Sequence, residues 1–402
     1  MINFDRILMI IGWILTLFLT IRLIVSFANF IWIYLVRSEL EKYCLNQKIR
    51  KNKDAAESEY SSECNSDFIS TGEKSYLPSW SILIPARNEE NSIGNLLEDI
   101  LTLIDKPLEV IIYDDNSTDR TREIILEFKQ RIPGLRIIDG ELPDGWLGKN
   151  NGCHKLAMEA KGDYLMFLDA DVRIDKDLAT KYINYAIANE LSLLSIFPQQ
   201  ILVNKAAKIS TPIMNWILLS LLPLPLVKKC SWKSFSAANG QFMLFKTDDY
   251  KKLVPHEKFR MSRAEDIEIS RYYKRERKRI ATLAGDSSIR CFMYNNLNDA
   301  INGFSKNVFY FFGNSPLITI TFAILTTLTP LWLFLFNGAI AGLVSIAMII
   351  LMRLFVSLTS RQCVMENLLY LLHQQIVFLQ IVTKAAINRK KRIEIWKGRN
   401  IY

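Results

Sequence analysis

The sequence predicts an α/β domain with a mixed, mainly parallel sheet flanked by helices, joined to transmembrane helices at both ends. Three observations carry this. Between residues 80 and 197, apolar runs of strand length alternate with amphipathic stretches of helix length. Each polar cluster in that region falls where an apolar run stops. Long apolar segments, 7–36 and 317–358, lie on either side. Strand–helix–strand order makes parallel pairs through right-handed crossovers, and such sheets bind ligands beyond the carboxyl ends of their strands.

Residues 7–36 are apolar apart from Arg22 and Asn29. They exceed the ~20 residues a spanning helix needs, and without a small-residue cleavage pattern they do not read as a signal peptide. Residues 1–36 are therefore a membrane anchor. Arg37, Lys42, Lys48, Arg50, Lys51 and Lys53 follow, while only Arg6 precedes. That asymmetry puts the N-terminus outside and the next domain in the cytoplasm. Residues 37–78, rich in Ser, Glu and Lys from Lys51 onward, read as a polar linker.

The catalytic-type domain is expected at 79–300. Strands fall at 80–84, 108–113, 135–138, 164–168 and 191–197, with helices at 91–104, from Ser117 or Thr118 to Gln130, and at 151–160 and 176–189. The clusters at strand ends are Arg87-Asn88-Glu89, Asp114-Asp115, Trp146 to Lys149, and Asp169 to Asp171. In a strand, residues i and i+2 share a side. Asp169 and Asp171, just beyond a buried run, thus form a hard oxygen site for Mg²⁺ or Mn²⁺ with room for a diphosphate. Residues 209–227 are apolar but broken by Pro212, Pro223 and Pro225. They read as an interfacial helix held at the membrane by Trp216 and flanked by Lys205, Lys208, Lys228 and Lys229. The strand at 239–245 carries Gly240, which permits close backbone approach. Glu265 and Asp266 open a helix that ends in a basic run, an order the helix dipole favours by itself.

Residues 301–402 form a C-terminal region. An amphipathic stretch at 297–312 carries Lys306, and 317–358, with Arg353 its single charge, reads as a helical hairpin turning at Asn337-Gly338. A weaker candidate, 364–387, carries Glu366, His373, Gln374 and Gln375. The basic tail belongs in the cytoplasm, so one of these segments is expected not to span. Net charge is +9, but the basic residues are clustered. That points to a membrane surface or a phosphate-rich ligand and away from nucleic acid. Six cysteines lack paired spacing and three histidines are scattered, so neither a disulfide framework nor a zinc site is implied.

The stretches Ile84-Pro85-Ala86-Arg87-Asn88-Glu89-Glu90, Asp114 to Asp119, Gly162 to Asp171, and Glu265-Asp266 together resemble family 2 glycosyltransferases of the GT-A fold over roughly 80–300. Gly145-Trp146-Leu147-Gly148-Lys149, Gly303 to Asn307 and Trp396-Lys397-Gly398-Arg399 look like the membrane-bound bacterial lipid glycosyltransferases of that family, of the diaponeurosporenoate and hopanoid-associated type. Ceramide glucosyltransferases are similar in layout. The resemblance implies a UDP-sugar donor, a membrane lipid acceptor and a divalent metal. It implies nucleotide-sugar contacts from Pro85, Arg87, Glu89, Asp115, Lys149, Asp169 and Lys306, with Asp115 on the uracil NH. Asp171, with Asp169, would hold the metal, and Asp266, with Glu265 as substitute, would be the general base. The Gln/Arg-x-x-Arg-Trp motif of processive synthases is absent after Asp266. The implied enzyme is therefore an inverting, non-processive hexosyltransferase, multi-pass in a bacterial cell membrane with its catalytic domain cytoplasmic. The alternatives are a polyprenyl-phosphate glycosyltransferase and an inactive membrane scaffold.

Overall fold

The computed structural model describes residues 4–63, 77–391, 395–396 and 399–400, with side chains from Arg6 to Asn46, at Ile49 and from Leu77 to Lys391. The chain opens with one long helix, α1 (Phe4–Glu63), of 60 residues. At 1.5 Å per residue it extends about 90 Å, far beyond the ~30 Å hydrocarbon thickness of a bilayer. Residues 37–63, expected as linker, continue this helix. Val36 and Leu40 are buried in the core of the domain, and Cys44 reaches Asp177 at 3.4 Å, so tertiary packing holds as helix a stretch whose composition reads as loop. Residues 64–76 of the expected linker and the Trp396-to-Arg399 side chains lie outside the described residues.

The domain then builds β1 (Trp80–Ala86), α2 (Ile93–Thr102), β2 (Glu109–Asp114), α3 (Thr121–Lys129), β3 (Leu135–Asp139), α4 (Gly148–Glu159), β4 (Tyr164–Leu168), β5 (Val172–Ile174), α5 (Leu178–Ala188), β6 (Leu193–Phe197) and β7 (Gln199–Ile201). After α6 (Lys205–Ser210), α7 (Pro212–Leu221) and α8 (Leu224–Lys229) come β8 (Phe242–Lys246), α9 (Thr247–Leu253), α10 (Pro255–Lys258), α11 (Glu265–Arg275), β9 (Ile280–Ala284) and β10 (Ile289–Phe292). The main sheet has seven strands in the order β3-β2-β1-β4-β8-β6-β9. The first four are parallel, β8 runs antiparallel to both β4 and β6, and β9 is parallel to β6. β2 and β4 are buried at every residue, which is why they read as continuous apolar runs rather than alternating ones. A three-stranded sheet, β5-β10-β7, lies beside them.

The C-terminal region is α12 (Leu297–Asn307), α13 (Pro316–Phe336), α14 (Ala339–Thr359), α15 (Val364–Leu369) and α16 (Leu371–Lys391). Among the described residues, three helical stretches are long and apolar enough to cross a membrane: Arg6–Asn46 within α1, α13 and α14. α16 is not among them, and its polar residues bind inward. Gln374 accepts from Arg353 at 2.7 Å and donates to the Lys208 carbonyl and to Asn367, each at 3.0 Å. Arg37 of α1 ties the domain to the end of α14 by donating to the carbonyls of Gly285 and Thr359.

The segment 209–227 departs from expectation in one respect. Trp216 is only 3% exposed, so its ring is enclosed by protein rather than presented outward. The guanidinium carbons of Arg22 of α1 and Arg353 of α14 lie 4.7 and 4.4 Å from its ring. Arg22 also donates to Ser220 at 2.8 Å, and Asn29 binds the carbonyls of Leu219 and Leu222 and the N–H of Leu224. The polar residues of the apolar stretch of α1 thus clamp α7, because a buried guanidinium or amide must find its partners inside the protein.

Candidate active site

β4 ends at Leu168, and the backbone N–H of Asp169 donates to Gln241 at the head of β8. A turn follows, closed by Val172 N–H on the Asp169 carbonyl at 3.3 Å; Ala170 within it is buried, and Asp169 and Asp171 both line a cavity of about 740 Å³. Lys149 comes from the first turn of α4. That turn is clipped to the loop before α11: Leu147 N–H donates to the Arg260 carbonyl, and the Asn150 amide donates to the carbonyls of Phe259 and Ser262. The clip brings the start of α4 to the start of α11, where Glu265 and Asp266 enter the same cavity.

Lys149 Nζ lies 2.8 Å from Asp169 and 3.8 Å from Glu265. Gly240 is the floor between them. A Cβ there would stand 3.1 Å from Lys149 Nζ, 3.6 Å from Glu265 Oε1 and 3.8 Å from Asp266 Oδ2. Its N–H donates to Asp266 Oδ2 at 3.1 Å, and Ile267 N–H donates to Oδ1 at 2.8 Å. Both oxygens of Asp266 are thereby oriented by backbone donors.

Four acids and one close lysine make this wall electrostatically expensive. Burial pushes Asp171 up to about 7, with the charges of Asp169 and Glu89 adding to the rise. Burial likewise pushes Glu265 up to about 7 against the pull of Lys149, and it raises Asp266. Burial opposes the Lys149 charge, yet Asp169 and Glu265 hold its pKa above the ordinary lysine value. Asp171 Oδ1 is buried with no hydrogen-bond partner among the described residues. Such an oxygen is costly to leave unmatched, and a buried carboxylate oxygen beside a second carboxylate fits a hard divalent cation. Among the described residues no group of three or more His, Cys, Asp and Glu side chains gathers as a metal set. The protein therefore offers a pair of acids rather than a cage.

The remaining expected residues divide between two places. Trp146 and Lys306 line the cavity. Trp146 packs on His154 with ring centroids 5.2 Å apart, and burial lowers the pKa of Lys306. Pro85, Arg87, Glu89 and Asp115 do not line it. They form a second cluster at the ends of β1 and β2, which pair in register through Ala86 and Asp114. There Arg87 donates to the Asp115 carbonyl and stands 3.7 Å from its carboxylate. Gly140 closes this cluster from beneath, where a Cβ would meet the Asp114 carbonyl at 2.5 Å and Asp115 Cα at 2.7 Å. The influence of Glu89 on Asp171 links the two clusters.

Sequence reasoning assigned no role to Gln241, Arg263 or Tyr294 and weighed Arg271 only as part of the basic run 271–279; all four line the cavity. Arg271 was hidden within a run that the helix dipole already accounts for, and it pairs with Glu268 at 2.9 Å. Tyr294 carried no signal; the cavity shows it near Asp171, whose charge, after burial, helps push its hydroxyl up to about 12. The same cavity has an apolar lining from Met214, Ile217, Leu218 and Leu221 of α7 with Phe304 and Phe311.

Residues 81–270 match the family model for glycosyl transferase family 2. Among curated proteins, the 4,4'-diaponeurosporenoate glycosyltransferase of Staphylococcus aureus strain bovine RF122 / ET3-1 is 35% identical over 127 residues, 31% of this chain and 32% of that one. The same protein from strain USA300 is 36% identical over 124 residues, 30% of this chain and 32% of the relative. The chain thus spans about a third of the length of the curated relatives it matches. Among solved structures, a mannosyltransferase from Pyrobaculum calidifontis in complex with GDP-Man and Mn²⁺ aligns over 93% of this chain and 99% of its own, at 15% identity and a TM-score of 0.48. S. aureus TarS 1-349 in complex with UDP aligns over 80% and 95% at 14% identity and a TM-score of 0.39.

Proposed function

We propose that this chain, which carries a glycosyl transferase family 2 domain at residues 81–270, moves one hexose from a UDP-sugar to a membrane lipid with inversion at the anomeric carbon. One observation supports this above the others. A single cavity joins an acidic wall with Lys149 to an apolar wall from α7, and α7 is clamped to the apolar anchor by Arg22 and Asn29. A polar donor and a hydrocarbon acceptor would meet there.

Asp115, held beside Arg87, would accept from the uracil NH. Lys149, Lys306, Arg263 and Arg271 would take the diphosphate charge, as cations in a low-dielectric cleft do. Asp171, with Asp169, would hold Mg²⁺ or Mn²⁺, which when bound neutralises the departing diphosphate. Asp266 would take the proton from the acceptor hydroxyl. As that oxygen bonds to the anomeric carbon, the bond to diphosphate breaks on the opposite face and its electron pair leaves with UDP. Its two backbone donors suit Asp266 to this role, since they fix the carboxylate without neutralising it. Glu265, closer to Lys149, would take the proton in its place.

The topology we favour has α1, α13 and α14 spanning, with the catalytic domain and basic tail both cytoplasmic in a bacterial cell membrane. Lysine and arginine clusters at 37–53 and 389–392 support it. A second reading, transfer to a polyprenyl phosphate, draws on Arg263 and Arg271, which supply two further cations to the cavity.

The test incubates membranes containing the protein with radiolabelled UDP-glucose, UDP-galactose or UDP-GlcNAc and a total lipid extract, with and without chelator. Label is expected in the lipid phase and chelator is expected to stop it. Transfer surviving excess chelator overturns the metal assignment, and label absent from lipid with every donor overturns the reading. Release of the label by mild acid favours the polyprenyl phosphate acceptor.

A further inference from the structure

The loop between α8 and β8 has fixed roots and an exposed aromatic tip. At its start, Lys274 Nζ donates to the Cys230 carbonyl at 2.6 Å. At its end, Thr282 donates to the Ala237 carbonyl, and Asn239 N–H donates to Ser195 Oγ at 2.7 Å. Between these ties a turn closes, with Phe235 N–H on the Trp232 carbonyl at 3.0 Å and Ser236 Oγ on the Lys233 carbonyl at 2.6 Å. Trp232 is 68% exposed and stacks on Phe235, ring centroids 6.1 Å apart and planes within 13°. A large aromatic pair held out on a rigid turn is not fold-stabilising where it stands, and such exposure marks a contact surface.

The anchor helix shows what that surface meets. Lys228 and Lys229, at the foot of the loop, place their ammonium groups 5.4 and 5.6 Å from the ring of Trp32 on α1. Trp32 is the last tryptophan of the apolar segment, just before the basic residues begin at Arg37. Tryptophan beside lysine at the end of a spanning helix marks the headgroup level of a bilayer. The loop leaves α8 at that level. Lys229 and Lys233, both exposed, add the positive charge that an anionic headgroup layer attracts. The same loop lines the site: Ser234, Ser236 and Ala237 border the cavity on either side of Phe235.

We infer that Trp232 and Phe235 form a membrane wedge, inserted among anionic headgroups on the domain side of the bilayer and seated at the mouth of the cavity. It rests on the reading of α1 as a spanning helix. Its role is to join the cavity mouth to the lipid layer, so that an acceptor passes between them without crossing water.

The test uses the full chain in lipid nanodiscs containing phosphatidylglycerol, with acyl chains unbrominated or brominated near the headgroup. The emission of Trp232 is read as wild type minus Trp232→Phe. The emission of Trp13, 74% exposed on α1, is read in the same way with Trp13→Phe. Brominated lipid is expected to quench both. If Trp13 is quenched while Trp232 is not, and iodide in the buffer quenches Trp232 instead, the wedge is overturned and the spanning helix stands. If Trp13 escapes bromine, the spanning reading fails and the wedge with it. In the transfer assay, the Trp232→Ser/Phe235→Ser double variant should raise KM for a long-chain acceptor in the bilayer, with donor KM and kcat unchanged. An unchanged acceptor KM counts against the wedge.

Discussion

The acids at the end of β2 and those at the end of β4 and the start of α11 are held in opposite ways. At β2 nearly every charge is matched locally. Asp114 accepts from Ser117 N–H at 3.0 Å and stands 3.7 Å from Arg122. Asp119 accepts from the N–H groups of Thr121 and Glu90 and, although burial works against it, these bonds and the Thr121 hydroxyl keep its pKa low. Across at β4 and α11, Asp169, Asp171, Glu265 and Asp266 share Lys149, and three of the four have raised pKa values. The first arrangement is a preformed shape that costs nothing to keep charged. The second stores repulsion that an incoming cation or proton relieves. Strain of this kind is what an active site is expected to hold, and matched acids are what a recognition pocket is expected to hold.

The sharpest way to break that contrast is to remove the base. Asp266→Asn should lower kcat about 10²–10⁴-fold, the usual worth of general base catalysis, with donor KM little changed; full activity in the lipid transfer assay would move the role to Glu265. Lys149→Met comes next. It strands Asp169 and Glu265 without their cation, so transfer should fall steeply and unfolding free energy should drop by about 2–4 kcal/mol in a denaturant titration. Gly140→Ala probes the other cluster. The new Cβ presses on Asp114 and Asp115, costing about 1–3 kcal/mol by overpacking and raising donor KM while leaving kcat near wild type. A kcat loss with unaltered donor KM would put Asp115 in the chemistry rather than in recognition.

The smallest effect is also the most specific to the stored repulsion. Glu265 titrates at about 7 in the fold, above an unfolded value of about 4. Its folded form holds the extra proton, so its contribution to stability is present below about pH 4 and is lost as pH rises through about 7. Glu265→Gln should therefore raise the melting temperature above wild type at about pH 8, by an amount worth about 2 kcal/mol, and leave it unchanged at about pH 4. An equal gain at both pH values would show a packing effect instead of a charge.

Much of this was legible in the residues. The run Tyr164–Leu168 ends in the structure where its apolar character ends, but Asp169 and Asp171 come to line one cavity through the turn that follows, not through strand alternation. The hairpin turning at Asn337-Gly338 was likewise written in two apolar blocks of spanning length. Less legible was α1, which runs on past Arg37 because Val36 and Leu40 find a core to enter. Nor was the setting of Trp216 legible: nothing local says that its ring is buried against Arg22 and Arg353.

The sequence by itself determined most of the strands and helices of the sheet region, the long apolar stretches and the residue types at each strand end, because these follow from periodicity and from where apolar runs stop. Only the tertiary structure decided which ends meet. It is the antiparallel insertion of β8 beside β4 that carries Gly240 to Lys149 and Asp266, and the clip from α4 to the loop before α11 that brings residues 149 and 265 together. Neither pairing leaves a local trace, since contacts between distant segments are selected by burial of the whole core and not by the residues that come to face one another.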